Sequence, residues 1–137
     1  MKRALIPLMA MFLLAAPVAA QERGIGDIYE DGYAALQVLV GSGGQDGREE
    51  MQAIAQEGIA LIDAADIPEC GVDVLTTLRT ALFMLDRGVD LSIEFEDAVK
   101  RGDNVAQDAL ETEMMYVISS GVFLMEEIPM LTAEVSC

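Results

Sequence analysis

The side chains best able to do chemistry in this chain are carboxylates, and they occur in three short clusters. The clusters are Glu94, Glu96 and Asp97; Glu111 and Glu113; and Glu126 and Glu127. Two facing carboxylates can serve as general acid and base, as they do in glycoside hydrolysis. However, adjacent residues on a helix point about 100° apart, and a chain with 24 acidic residues brings carboxylates together by chance. We therefore interpret the clusters as solvated helix faces.

Other catalytic and metal-binding chemistries have little support in the sequence. The 137 residues include no histidine, which excludes Ser–His and Cys–His catalysis and imidazole ligation of a metal. Methionine thioethers could bind copper(I), but only Met114 and Met115 lie close together, and core filling is the simpler role. The glycine-rich stretch 41–47 lacks the lysine of a phosphate-binding loop and is interpreted as a linker. We expect no enzyme activity, no cofactor and no metal site.

The N-terminus has the three parts of a secretory signal peptide. Met1-Lys2-Arg3 is basic, residues 4–18 are uncharged and rich in Leu, Met and Ala, and small residues precede Gln21. The apolar segment is shorter than the roughly 20 residues that span a bilayer. We expect cleavage after Ala20, leaving residues 21–137 as one helical domain with no stable membrane anchor. The protein would then be periplasmic or secreted.

Export also bears on the two cysteines, Cys70 and Cys137. In an oxidising compartment the pair predicts an intramolecular disulfide, with a free C-terminal thiol or an intermolecular bridge as the alternatives. The bond would close a loop of 67 residues and stabilise the fold by roughly 4 kcal/mol in the chain-entropy model.

The mature chain is strongly acidic. Removal of Lys2 and Arg3 leaves six basic residues against 24 acidic ones, a formal net charge of −18. Such a surface should repel nucleic acid and anionic lipid headgroups and attract cations or basic proteins. The simpler alternative is that the charge keeps an exported protein soluble.

Apolar periodicity predicts four helices and an all-α fold, a small antiparallel four-helix bundle with a long C-terminal helical hairpin. The first two helices are predicted at residues 27–40 and 48–64, with Asp46 as a candidate N-cap. A third is predicted from about residue 70 to Arg101, continuous or broken near Gly88. The fourth is predicted at residues 104–127, capped by Asp103 and ended by Pro129.

The hairpin suggests how the protein acts. Its second arm contains an almost uncharged run, residues 114–125, with a row formed by Val105, Ala109, Thr112, Tyr116, Ser119 and Phe123. Helices this apolar on most sides need neighbours to bury them, and two short companions would leave a surplus. The surplus would form a dimer face or a ligand pocket; a fully buried core is the alternative.

Our leading interpretation is an exported, non-catalytic protein that acts by binding another protein or by forming a homodimer. A carrier of a small ligand or cation is the second hypothesis. If helix three is continuous, its far end extends beyond the first two helices. The predicted contact surface at that end consists of Glu94, Phe95, Glu96 and Asp97.

Overall fold

The computed structural model describes residues 24–134, and their side chains as far as residue 131. The described chain is built from four α-helices and a short 3₁₀ turn, Glu69–Gly71, with no strand in that range. The helices are α1 (Ile25–Gly41), α2 (Arg48–Ala64), α3 (Val72–Arg101) and α4 (Asn104–Glu134). The predicted all-α bundle with a long C-terminal hairpin is confirmed. The predicted signal peptide lies outside the described residues.

The α1–α2 connection depends on glycine rather than on a capping carboxylate. Gly43, Gly44 and Gly47 adopt positive φ angles of 65°, 82° and 78°, which a residue with a Cβ adopts only with strain. Gly47 is the N-cap of α2, and no side chain caps this terminus. The prediction that Asp46 caps α2 is therefore wrong, because Asp46 lies one residue before the cap and the left-handed backbone there requires glycine.

α3 runs without a break through Gly88, which settles the question of a stop at that position. Gly88 is buried, and a Cβ there would lie 2.7 Å from Cγ1 of Ile118 on α4. The glycine thus lets two helices approach closely instead of ending one. α3 ends at Gly102 (φ 68°), and the backbone N–H of Asp103 donates to Ala98 O at 3.0 Å.

α4 is longer than predicted, because it continues through Pro129 to Glu134. Proline has no N–H and leaves the carbonyl four residues earlier without its helical donor. That carbonyl belongs to Met125, and the hydroxyl of Tyr29 on α1 donates to it at 3.4 Å. The prediction that Pro129 ends the helix was wrong because this tertiary hydrogen bond compensates the lost one, while Ile128 is held in the core at 5% exposure.

The core lies where α1, α2 and α3 meet the last turns of α4. Its largest fully buried side chains include Ile28, Leu36, Met51, Leu82 and Met125. Gly58 on α2 sits among them and allows α1 and α3 to pack directly against the α2 backbone.

Asp103 caps α4 with its side chain, whereas Asp46 does not cap α2, so these two aspartates give a matched pair of substitutions. Asp103 Oδ1 accepts from the backbone N–H of Ala106 at 3.0 Å, so Asp103→Ala should lower the free energy of unfolding by about 1 kcal/mol. Asp46→Ala should change it by less than about 0.5 kcal/mol, as for an ordinary surface position. Urea unfolding followed by circular dichroism measures both, and equal losses would contradict the capping assignments.

Candidate functional site

α4 packs mainly along α3 and only sparsely against α1. Its buried positions are Gly121, Met125 and Ile128, which lie near one end and on one side of the helix. Within the described part of the chain, the opposite side has no neighbour over most of its length, although it belongs to a strongly apolar stretch.

Large apolar side chains on that side are exposed to solvent. The exposed fraction is 59% for Met115, 70% for Tyr116, 59% for Phe123 and 62% for Met130. The sequence indicated surplus apolar surface on this hairpin, with a fully buried core as the alternative. In the structure Gly121 turns toward α3, and the row through Tyr116 and Phe123 faces outward.

An apolar groove of about 450 Å³ lies on one flank of the exposed row. On one side it is bounded by α4. On the other side it is bounded by Leu39 and Val40 at the end of α1 and by the glycine loop that follows them. The α4 residues that line it are Met114, Met115, Ile118, Ser119, Val122, Phe123 and Glu126.

A shallower depression of about 590 Å³ lies on the other flank, between α4 and Met84 of α3. It shares Met115, Ser119 and Phe123 with the first groove. Together with Tyr116, which lines the second hollow, these three residues form a ridge with an apolar hollow on each side. We call the ridge residues Met115, Tyr116, Ser119 and Phe123, together with the two hollows, the α4 face. Its composition suits a binding surface for another apolar surface.

The predicted contact surface is engaged within the chain. Glu96 pairs with Arg48 at 2.9 Å, Glu94 with Arg87 at 3.1 Å, and Asp97 with Lys100 at 3.2 Å. Phe95 is half-buried and shares a small cavity with Arg48 and Met114. The structure thus places Phe95 and Glu96 beside the glycine loop, whereas Glu94 and Asp97 pair with cations of α3. The role of these four residues as a contact surface remains a prediction.

The remaining carboxylates are dispersed. Glu113 pairs with Arg87 at 3.2 Å, whereas Glu126 lies at the rim of the groove. No group of three or more acidic or thiol side chains among the described residues is placed to hold a metal ion. Cys70 lies in the 3₁₀ turn before α3; Cys137 is outside the described residues, so their disulfide remains a prediction.

Two ion pairs lower the pKa of surface carboxylates. The hydrogen bond and charge of the Arg48 guanidinium lower the pKa of Glu96 below its ordinary 4.5. Arg79, which donates to both oxygens of Asp63 at 2.6 and 3.0 Å, lowers the pKa of Asp63 in the same way. The Arg48 pair also fixes the glycine loop, because the same guanidinium donates to the carbonyl of Gly44.

We expect Arg48→Met to raise the pKa of Glu96 and to leave that of Asp63 unchanged. Arg79→Met should raise the pKa of Asp63 and leave that of Glu96 unchanged. Because the folded-state pKa of Glu96 is depressed, its stabilising contribution is present above the unfolded-state pKa. It is lost as the pH falls through the lower folded-state value. Carbon-detected NMR titration of the carboxyl groups measures both shifts. A Glu96 pKa that is the same in the Arg48→Met variant would show that the pair does not form in solution.

By length and composition, Asn104–Leu131 could also cross a membrane: it has 28 residues, a mean hydropathy of 1.3, and 17% of its most apolar window buried. The core helix of a soluble protein passes the same test. For α4 the low burial is the informative part, since the apolar surface is left uncovered by the described chain.

No known protein family, curated protein or solved structure matches this chain.

Proposed function

We propose that this is an exported, non-catalytic binding protein that uses the α4 face to dock a partner protein. The exposure of Met115, Tyr116 and Phe123 on an otherwise folded bundle carries this proposal. Contiguous exposed apolar side chains mark interaction sites, and full burial of one such side chain is worth about 1.5–3 kcal/mol. Aromatic residues and methionine are also the types enriched at protein interfaces.

Export and a disulfide belong to the same proposal. The basic and apolar residues 1–20 support secretion with cleavage after Ala20, and the even cysteine count supports a bond between Cys70 and Cys137 in an oxidising compartment. The intact mass of the protein recovered from the periplasm or medium tests both. It should correspond to residues 21–137 and should increase by two alkyl groups only when reduction precedes alkylation.

Photocrosslinking tests the docking surface directly, and the chain offers a matched control. Phe83 on α3 is exposed to 58%, almost the same as Phe123 at 59%, but it lines neither hollow of the α4 face. A photoreactive phenylalanine analogue at position 123 should give one discrete adduct in cells that express the full chain. The same analogue at position 83 should not.

Two further observations are required before the adduct counts as support. It should disappear when Met115→Ser and Tyr116→Ser are combined with the analogue at 123, and the purified partner should bind the exported protein reversibly. Equal adducts at both positions would contradict the proposal. An adduct of twice the chain mass would show that the α4 face binds a second copy of this chain and not another protein.

The groove beside Leu39 and Val40 favours one alternative, a carrier of a small apolar ligand. Its volume of about 450 Å³ lies within the range of about 300–1,000 Å³ typical of ligand pockets. A carrier should show a raised melting temperature with one member of a fatty-acid or lipid series. A docking surface open along both flanks should show no such selective rise.

A further inference from the structure

We propose that the partner docks a cationic amphipathic helix on the α4 face, with basic residues at both ends of its apolar stretch. This inference rests on the proposed docking function and adds the chemistry of the partner. It starts from the composition of α4: Asp108, Glu111, Glu113, Glu126, Glu127 and Glu134 are its charged residues, and it contains no Lys or Arg.

The acidic residues stand at the two ends of the exposed apolar stripe. Asp108, Thr112, Met115, Ser119, Val122 and Glu126 are spaced 4, 3, 4, 3 and 4 residues apart, which keeps them on one side of a helix. Asp108 and Glu126 are both exposed. At 1.5 Å per residue, their separation of 18 positions in sequence corresponds to about 27 Å along the helix. A partner helix of about five turns, with an apolar stripe and a basic residue at either end, would match this length in either direction.

Among the described residues, no cation pairs with the carboxylates at the two ends of this stripe. Four cations are already paired within the chain: Arg48 with Glu96, Arg79 with Asp63, Arg87 with Glu94 and Glu113, and Lys100 with Asp97. No described Lys or Arg forms an ion pair with Asp108, Glu111, Glu126 or Glu127. An approaching basic segment would therefore gain attraction without breaking an existing pair.

The same charges argue against two other occupants. A second copy would bring its own uncompensated carboxylates to the rim, and each full chain carries a net charge of −16, so like charges would meet around the apolar contact. An anionic bilayer would be repelled for the same reason. Helix-in-groove recognition needs an apolar groove and complementary charge, and the α4 face offers both.

The test uses the exported protein and three synthetic 20-residue helical peptides. The first has an apolar stripe and Lys at both ends; the second keeps the stripe and replaces Lys by Glu. The third has the composition of the first with its apolar residues scattered around the helix. Fluorescence anisotropy at about 20 and 200 mM salt gives each dissociation constant. We expect the first peptide to bind at least about tenfold more tightly than either of the others, and more weakly at the higher salt.

Charge variants separate a local effect from net charge. Glu126→Gln with Glu127→Gln should weaken the first peptide by about tenfold, which corresponds to about 1.4 kcal/mol. The matched control is Glu49→Gln with Glu50→Gln, an adjacent pair at the start of α2 that lines neither hollow of the α4 face. It removes the same charge and should have little effect.

The outcomes distinguish this inference from the docking function on which it rests. Equal binding of the first and second peptides, both lost in Phe123→Ser, would overturn the cationic partner and keep the docking surface. Equal binding of the first and third peptides would overturn both the cationic partner and the docking surface, because binding would then depend on charge alone. Absence of binding with a dimer by light scattering would assign the face to a second copy. Preferential partition into zwitterionic vesicles would assign it to a membrane.

Discussion

Replacing both Met115 and Phe123 by serine should weaken partner binding by about 100-fold or more while leaving the fold intact. Truncation of a central interface side chain commonly costs about 2 kcal/mol or more, and every 1.4 kcal/mol is about tenfold in affinity. The two side chains are each exposed to 59% in the isolated chain, so their loss should change the free energy of unfolding by less than about 0.5 kcal/mol. Anisotropy with the cationic helical peptide and urea unfolding measure the two effects separately.

Phe83→Ser is the control for this variant, because it removes an equally exposed phenylalanine from a surface outside the α4 face. It should leave affinity unchanged. If Phe83→Ser weakens binding as much as the double variant does, the partner binds any exposed apolar surface, and specific docking on the α4 face would be contradicted.

A second large effect is expected in stability. A Cβ added at Gly58 would lie 2.6 Å from Ile28 Cγ2 and 2.6 Å from Leu82 Cδ1, and both of those side chains are fully buried. Gly58→Val should therefore lower the free energy of unfolding by about 3 kcal/mol, the upper part of the usual range for overpacking. Urea unfolding at fixed protein concentration measures the loss.

Gly26→Ala provides the contrast, since a Cβ at this position on α1 meets nothing within 4 Å. It should stabilise the protein by up to about 1 kcal/mol, through the helix propensity of alanine and the lower entropy of the unfolded chain. Similar small effects of the two substitutions would show that α1 and α3 do not pack tightly against α2 in solution.

Much of the fold could be predicted because apolar periodicity and local terminators act over a few residues. α2 has the predicted bounds, Arg48–Ala64, and Asp103 is the N-cap of α4 as its sequence position suggested. The end of α4 could not be predicted in this way. It depends on Tyr29, which is 96 residues away from Met125 in sequence and donates to the carbonyl that Pro129 leaves unbonded.

The candidate site was predicted only in part, for a related reason. The run 114–125 is apolar on most sides, so its composition indicates surplus apolar surface but not which side is buried. Close packing decides this. A Cβ on Gly121 would lie 3.0 Å from Leu85 Cδ2, and one on Gly88 would lie 2.7 Å from Ile118. These two contacts fix the rotation of α4 and turn Phe123 toward solvent.

The predicted contact surface at Glu94–Asp97 shows the same limit. Its acidic residues are visible in the sequence, but Arg48, the partner of Glu96, comes from α2, and Arg87, the partner of Glu94, lies about two turns away on α3. Ion pairing within the chain uses these carboxylates, whereas no described Lys or Arg pairs with Asp108 or Glu126 beside the apolar stripe. The sequence alone offers no means of telling the two sets apart.

Methionine oxidation tests most directly whether the α4 face is open in the free protein and covered by its partner. Met115 is exposed to 59%, while Met51 and Met125 are exposed to 0% and serve as internal references. In dilute purified protein treated with hydrogen peroxide, mass spectrometry of peptides should show Met115 oxidised faster than Met51 by on the order of tenfold or more. A saturating concentration of the cationic helical peptide should slow the oxidation of Met115 to nearly the oxidation rate of Met51. Oxidation of Met115 as slow as that of Met51 in the free protein would contradict the account, because the face would already be covered.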